Sequence, residues 1–186
     1  MAFTPLKYGA YHMIGNDEWE PQRTNNFEIQ FPGLPQLYSS HEGLAMPSNA
    51  SDLLTLSTKS VGGINETINA LNVSYGNNVV KYAGKPEYND IQIVFRDHIG
   101  IQTERILAAW HKLVYNPQTE QVGRATAYKH DGYLLEYGPD GSYVRTWQLR
   151  GVWPGTIAYG DFSNEDNNIR EITVTFNIDV AIPLDQ

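Results

Sequence analysis

The sequence predicts a mainly β fold, an antiparallel barrel or sandwich with one packed α-helix. Three observations carry this. From Glu171 to Ile182, apolar Ile172, Val174, Phe176, Ile178, Val180 and Ile182 alternate with the polar Glu171, Thr173, Thr175, Asn177 and Asp179, the period of a strand with one buried and one wet face. Leu71, Val73 and Tyr75, then Val80 and Tyr82, flank Gly76-Asn77-Asn78, a hairpin whose turn residues accept left-handed backbone. Ile106, Leu107, Trp110, Leu113 and Val114 form one helical stripe. Burying those five side chains is worth roughly 8 to 15 kcal/mol gross, at about 1.5–3 each.

The remaining elements fall into order around these. Residues 1 to 23 form an irregular arm with Pro5, Gly9, Gly15 and Pro21, and an acidic patch at Asp17, Glu18 and Glu20. Residues 24 to 186 form the β domain. Asn26 to Phe31 alternates as a first strand, stopped by Pro32-Gly33, and residues 32 to 51 read as a Pro-rich loop. Leu53 to Val61 reads as a second strand, with Leu71, Val73, Tyr75, Val80 and Tyr82 turned into the core. Ile91 to Phe95 is a further strand. The helix spans about Ile99 to Tyr115 and stops before Pro117. Ala125 to Tyr137 and Tyr143 to Val152 are strands across Gly138-Pro139-Asp140-Gly141.

Composition excludes several classes of function. At 186 residues with 41 % hydrophobic content, the chain can bury a core of its own. A net charge of −8 opposes a binder held to nucleic acid by phosphate contacts. There are no cysteines, hence no disulfide frame or thiolate chemistry. Met1 to Gly15 lacks an apolar signal-peptide core, so synthesis in the cytoplasm is expected. The sequons at Asn49, Asn65 and Asn72 are then chance matches in an Asn-rich chain.

Chemistry-bearing patterns are sparse. His12, His41, His98, His111 and His130 are scattered without metal-ligand spacing and read as surface residues. The sequence holds no nucleophile elbow, phosphate loop or dinucleotide fingerprint. Asp161, Glu165, Asp166 and Glu171 lack the spacing of a calcium loop and read as a solvated acidic turn. Trp110 reads as core, and Trp147 with Leu149 as one buried strand face. No catalytic, cofactor-binding or metal residue is therefore assigned, and no cofactor is expected.

The order of elements is more telling. Leu71 to Asp97 is a hairpin, a polar turn and a strand ending in an acid. The Trp110 helix follows, then a strand pair, Gly151-Val152-Trp153-Pro154, an acidic Asn-containing turn and the long alternating strand. From about Lys59 to Ile182 this resembles the tail tube protein of contractile-tailed bacteriophages, which shares its fold with the haemolysin-coregulated ring protein of type VI secretion. The resemblance implies a non-enzymatic virion tail protein, made in the host cytoplasm. Six subunits would close into a ring and rings would stack into a tube. Its partners would be a sheath on the outer face and baseplate and terminator proteins at the ends, with DNA passing through the lumen unbound. It also implies that Asn69 to Gly84 and Ala125 to Gly151 supply the lumen wall. The arm of residues 1 to 23 lies outside the resemblance and is expected to make stacking contacts and to become ordered on assembly. Alternation then names Asn72, Ser74, Lys81, Thr146, Gln148 and Arg150 as lumen-facing candidates. The alternatives are a type VI-like or extracellular contractile injection tube carrying protein effectors, a carbohydrate-binding module, and a monomeric β-sandwich.

Overall fold

The computed structural model describes residues 21–34, 47–100, 103–165 and 167–184. The expected arm lies outside them except for residues 21–23, as does most of the Pro-rich loop. The elements are β1 (Phe27–Gln30), α1 (Ala50–Ser57), β2 (Thr58–Val61), β3 (Glu66–Tyr75), β4 (Asn78–Tyr88), β5 (Ile91–Arg96), α2 (Thr103–Val114), β6 (Tyr115–Asn116), β7 (Gln121–Val122), α3 (Ala125–Tyr128), β8 (His130–Tyr137), β9 (Tyr143–Ala158), β10 (Glu171–Asn177) and β11 (Val180–Leu184). The fold is mainly β and its sheets are antiparallel, as the sequence predicts.

One strand organises the body. β9 is 16 residues long, and its leading half pairs with β8 on one side and β11 on the other. Its trailing half pairs with β10, which leads on to β5 and β2. β9 and β10–β11 thus form one ribbon shared by two sheets, β1-β8-β9-β11 and β9-β10-β5-β2.

The corner between the sheets sits at Gly151, whose φ of 67° is left-handed. A Cβ there would collide with the Asp179 carboxylate. Lys129 Nζ donates to both Asp179 oxygens at 2.7 Å, and the Asp179 N–H donates to the Arg150 carbonyl at 3.0 Å. Side-chain phase reverses across this corner. On β9, Leu149 is buried before it and Val152 and Pro154 after it. On the other strand, Phe176 and Ile178 are buried before it and Ala181 after it. The alternation expected to run unbroken to Ile182 is therefore interrupted. Val180 and Ile182 lie opposite Arg150 and Gln148, on the side of the sheet away from the core. One irregular residue per strand suffices for this, because the side-chain period is two.

The core lies between the sheets and α2. Ile106, Leu107, Trp110 and Leu113 are buried as the stripe predicts, and Ala109 joins them. Trp110 meets Phe31 and Phe176 with ring centroids 5.3 Å away in each case. Its indole N–H donates to the Tyr128 carbonyl at 2.8 Å, which satisfies the polar end of a fully buried ring.

Two expected strands are instead partly helical. Leu53 to Val61 begins within α1, where Ala50, Leu54 and Ser57 are buried at helical spacing. The hydroxyls of this segment bond to backbone. Ser57 Oγ donates to the Leu53 carbonyl at 2.9 Å and Thr55 Oγ1 to the Ile29 carbonyl of β1 at 2.6 Å, while Ser51 Oγ accepts from the Phe31 N–H at 3.2 Å. Ala125 to Tyr137 divides into the single turn α3 and β8. Tyr128, at the end of α3, packs edge-on against Trp153 with centroids 5.7 Å apart. The expected long helix is shorter, Thr103–Val114.

Gly151→Ala should destabilise the subunit by about 2–3 kcal/mol, since it forces a Cβ into left-handed backbone and displaces Asp179. Urea denaturation of the purified variant measures this. An unchanged midpoint would show that the corner tolerates a side chain.

Candidate assembly interface

The hairpin of β3 and β4 stands off the body as a two-stranded sheet of its own. Gly76, with φ of 59°, and Asn77 make its two-residue turn, as in hairpins with glycine at the first central position. Leu71 lies opposite Tyr82, and Val73 opposite Val80, on one face. The expectation that this face enters the subunit core is wrong. Leu71 is 59 % exposed, Tyr75 58 %, Val80 41 % and Tyr82 49 %. Alternation gave the right face, but no part of the same chain covers it among the described residues.

A lone two-stranded hairpin is marginal in water, and a contiguous exposed apolar face marks an interaction site. Covering five half-exposed side chains contributes roughly 4–8 kcal/mol gross, about half of the ~1.5–3 kcal/mol for each full burial. The other face carries Asn72 opposite Lys81 and Ser74 opposite Val79.

Thr146, Gln148 and Arg150 lie elsewhere, on the side of the first sheet away from the core. Their cross-strand neighbours are Leu135 and Tyr133 on β8 and Leu184, Ile182 and Val180 on β11. Arg150 is exposed and Gln148 half-buried, whereas Thr146 is only 8 % exposed. A single subunit thus splits the six candidates into two groups on separate sheets. Arg150 Nη2 donates to Gln148 Oε1 at 3.3 Å, and Gln148 Nε2 to Asp131 Oδ2 at 3.4 Å. Sequence reasoning missed Asp131, Tyr133, Val180 and Ile182 as members of this face. Only the strand pairing and the phase reversal at Gly151 bring them there.

At the far end of β5 and β10, Arg170 Nη1 bonds Asp97 at 2.8 Å and Glu104 at 2.7 Å. Its guanidinium also lies 4.5 Å from the centroid of the Phe162 ring, anchoring the acidic turn to the start of α2. Phe162, Ile169 and Ile99 are exposed there. Among the described residues, no group of three His, Asp or Glu side chains is gathered to hold a metal ion. A groove of about 700 Å³ opens between β1 and β2, where Lys59 and Glu136 mix with Phe27, Val61, Ile64 and Trp147.

No protein-family model matches this chain, and no curated protein matches it in sequence. Solved structures do match. The sheath-tube complex of an extracellular contractile injection system, PVC, in its extended state aligns over 94 % of this chain and 95 % of that one, at 17 % identity and TM-score 0.63. The tube terminating cap of the anti-feeding prophage, AFP, aligns over 90 % and 93 %, at 15 % identity and TM-score 0.62. The SPP1 tail tube aligns over 89 % and 80 %, at 6 % identity and TM-score 0.54. The chain has the tail-tube fold.

Within this tail-tube fold one histidine departs from the surface role expected of it. His130 packs edge-on to Trp110, with ring centroids 6.2 Å apart, and its Nε2 is buried without a partner. A Cβ at Gly33 would come within 2.9 Å of its Nδ1, so the close approach requires glycine. Burial pushes its pKa below the ordinary 6.5, against a smaller upward pull from Asp131. The folded state therefore holds a neutral ring that the unfolded chain protonates more readily. Its contribution to stability is full above pH 6.5 and is lost as pH falls toward the lowered folded value. The urea midpoint should drop between pH about 7.5 and about 5.5, and His130→Gln should flatten that slope. Parallel slopes in the two proteins would show that the ring titrates freely.

Proposed function

We propose that this chain is a structural tube subunit of an injection machine, six copies closing into a ring and rings stacking into a channel. The observation that carries the reading is the uncovered apolar face of the β3–β4 hairpin on a tail-tube fold. A subunit whose own fold leaves such a face in water is completed by neighbours, and head-to-tail contacts that do not close grow filaments. Its partners are further copies of itself, a sheath around the outer face, and terminator and baseplate proteins at the ends. The role is structural and not enzymatic, and the protein works within an assembled tail or tail-like particle.

In the leading reading the channel belongs to a phage tail and conveys DNA. Asn72, Ser74, Lys81, Thr146, Gln148 and Arg150 then belong to the wall. The Arg150–Gln148–Asp131 chain of hydrogen bonds supports a wall that does not grip phosphate, because the cation is already engaged and a carboxylate stands behind it. The net charge of −8 acts in the same direction. The second reading is an extracellular contractile injection tube carrying protein effectors. It is favoured by the greater likeness in fold to the PVC and AFP structures than to the SPP1 tail tube.

Negative-stain images of the purified protein should show rings or tubes. Leu71→Asp combined with Tyr82→Asp should raise the concentration at which they appear by about 100-fold or more, since each buried unpaired charge costs about 3 kcal/mol or more. The double variant should keep its far-UV circular dichroism. A wild-type protein that stays monomeric at high concentration would overturn the reading. Purified particles containing protected DNA favour the tail reading, and particles enclosing protein favour the effector tube.

A further inference from the structure

We propose that the groove between β1 and β2 holds Trp19 of the same chain, docking the end of the N-terminal arm onto the body. The tube-subunit reading is not needed for this, and the two fail separately. The strand path runs from β1 through β8, β9, β10 and β5 to β2, and its two ends do not pair. The sandwich is therefore open along this side. In the opening, Val61, Ile64, Leu134 and Trp147 pack against the core but are only partly buried. A cleft of about 700 Å³ has room for an aromatic ring and its flanking backbone.

Where the described chain begins decides the occupant. Gln22 to Phe27 form one wall of the groove, so the arm reaches the body at its rim. That wall is pinned. Gln22 Nε2 donates to the Tyr137 carbonyl at 2.8 Å, and Asn26 Nδ2 to the Gly138 carbonyl at 2.9 Å. Trp19 stands three residues before Gln22, a reach of about 10 Å at ~3.3–3.6 Å per residue. Pro21 fixes its own φ and restricts the residue before it to extended backbone, which lowers the entropy lost on docking. A segment tethered this closely competes at an effective concentration of about millimolar, which no second copy matches in dilute solution.

Charge agrees with this occupant. Asp17, Glu18 and Glu20 flank Trp19, and the groove lining carries Arg23 and Lys59. Lys59 is bonded to Glu171 yet keeps 44 % of its side chain exposed, which leaves room for a second carboxylate. The acid in the lining, Glu136, is engaged by Arg145 at 2.9 Å. The docked ring covers Ile64, in the Gly62-Gly63-Ile64 link that leads into β3, and so braces the root of the hairpin. The arm before Asp17 keeps the stacking role expected of it.

Tryptophan fluorescence of the full-length protein tests this, read as the difference between wild type and Trp19→Phe. The Trp19 signal should be blue-shifted and shielded from iodide relative to urea-unfolded protein, at every concentration from monomer to assembly. Trp19→Ala should lower the melting temperature by about 3–8 °C, the shift that losing one buried aromatic side chain gives in a domain of this size. Ile64→Asp should abolish the shielding, and Lys59→Glu, at an exposed site, should lose part of it. A Trp19 quenched as in unfolded protein at all concentrations would overturn the docking. Shielding found only in assemblies would overturn it as well, assigning the ring to a contact between copies and leaving the tube reading intact. Shielding that survives both Ile64→Asp and Lys59→Glu would overturn the groove as its seat. Shielding at every concentration in a protein that never forms rings would support the docking while the tube reading falls.

Discussion

The architecture depends on the contact of Asp179, held by Lys129, with the bare backbone of Gly151. β9 can serve two sheets only if it turns between them, and β10–β11 must turn with it while staying paired. Gly151 supplies the left-handed backbone, and Asp179 occupies the space a side chain would need. Lys129 then neutralises a carboxylate held against peptide groups. The pair is partly solvent-exposed, so its direct electrostatic worth is small. Its value lies in geometry, because the corner decides which residues of both strands face the core. Without the phase reversal, Val180 and Ile182 would face the core and Ala181 would face away from it.

That corner also divides the molecule's duties. The core around Phe31, Phe95, Trp110 and Phe176 is closed on itself and is filled by residues at or near zero exposure. Of the hairpin's large apolar residues only Tyr88, at the foot of β4, packs against it. The body's core is thus complete without the hairpin, which in the proposed assembly is the part left to meet neighbours. The same arrangement explains why an apolar face persists on a chain of net negative charge: repulsion between whole subunits restrains random collapse, while short-range burial rewards only a docked geometry.

Much of this was legible in residue order, and the misses have physical causes. α2 was readable because Ile106, Leu107, Trp110 and Leu113 share a stripe, and β10 because Ile172, Val174 and Phe176 alternate without exception. α1 was misread because the segment runs without a break into the β-branched Thr58 and Val61 of β2, and because the tertiary bond of Thr55 to the Ile29 carbonyl cannot be read from residue order. β11 was misread because a corner shifts phase by one residue, below what a periodicity count can resolve. The hairpin is the instructive case. Alternation separates Leu71, Val73, Val80 and Tyr82 from Asn72, Ser74 and Lys81, but it carries no information on whose surface covers the apolar side. The separation was right and the owner of the core was wrong.

Covering such a face from another chain has a consequence for rigidity. A hairpin braced only by its own ladder bends easily, since two strands lack the backing that three or more provide. In the proposed ring a neighbour would add apolar contact to the hairpin, and bending a joint would have to break it. A channel that transmits force along its axis needs that property, and a self-sufficient sandwich has no route to it. In the proposed tube, stiffness would therefore arise at assembly and not at folding, with the best-packed residues spent on the body and the hairpin left for its neighbours.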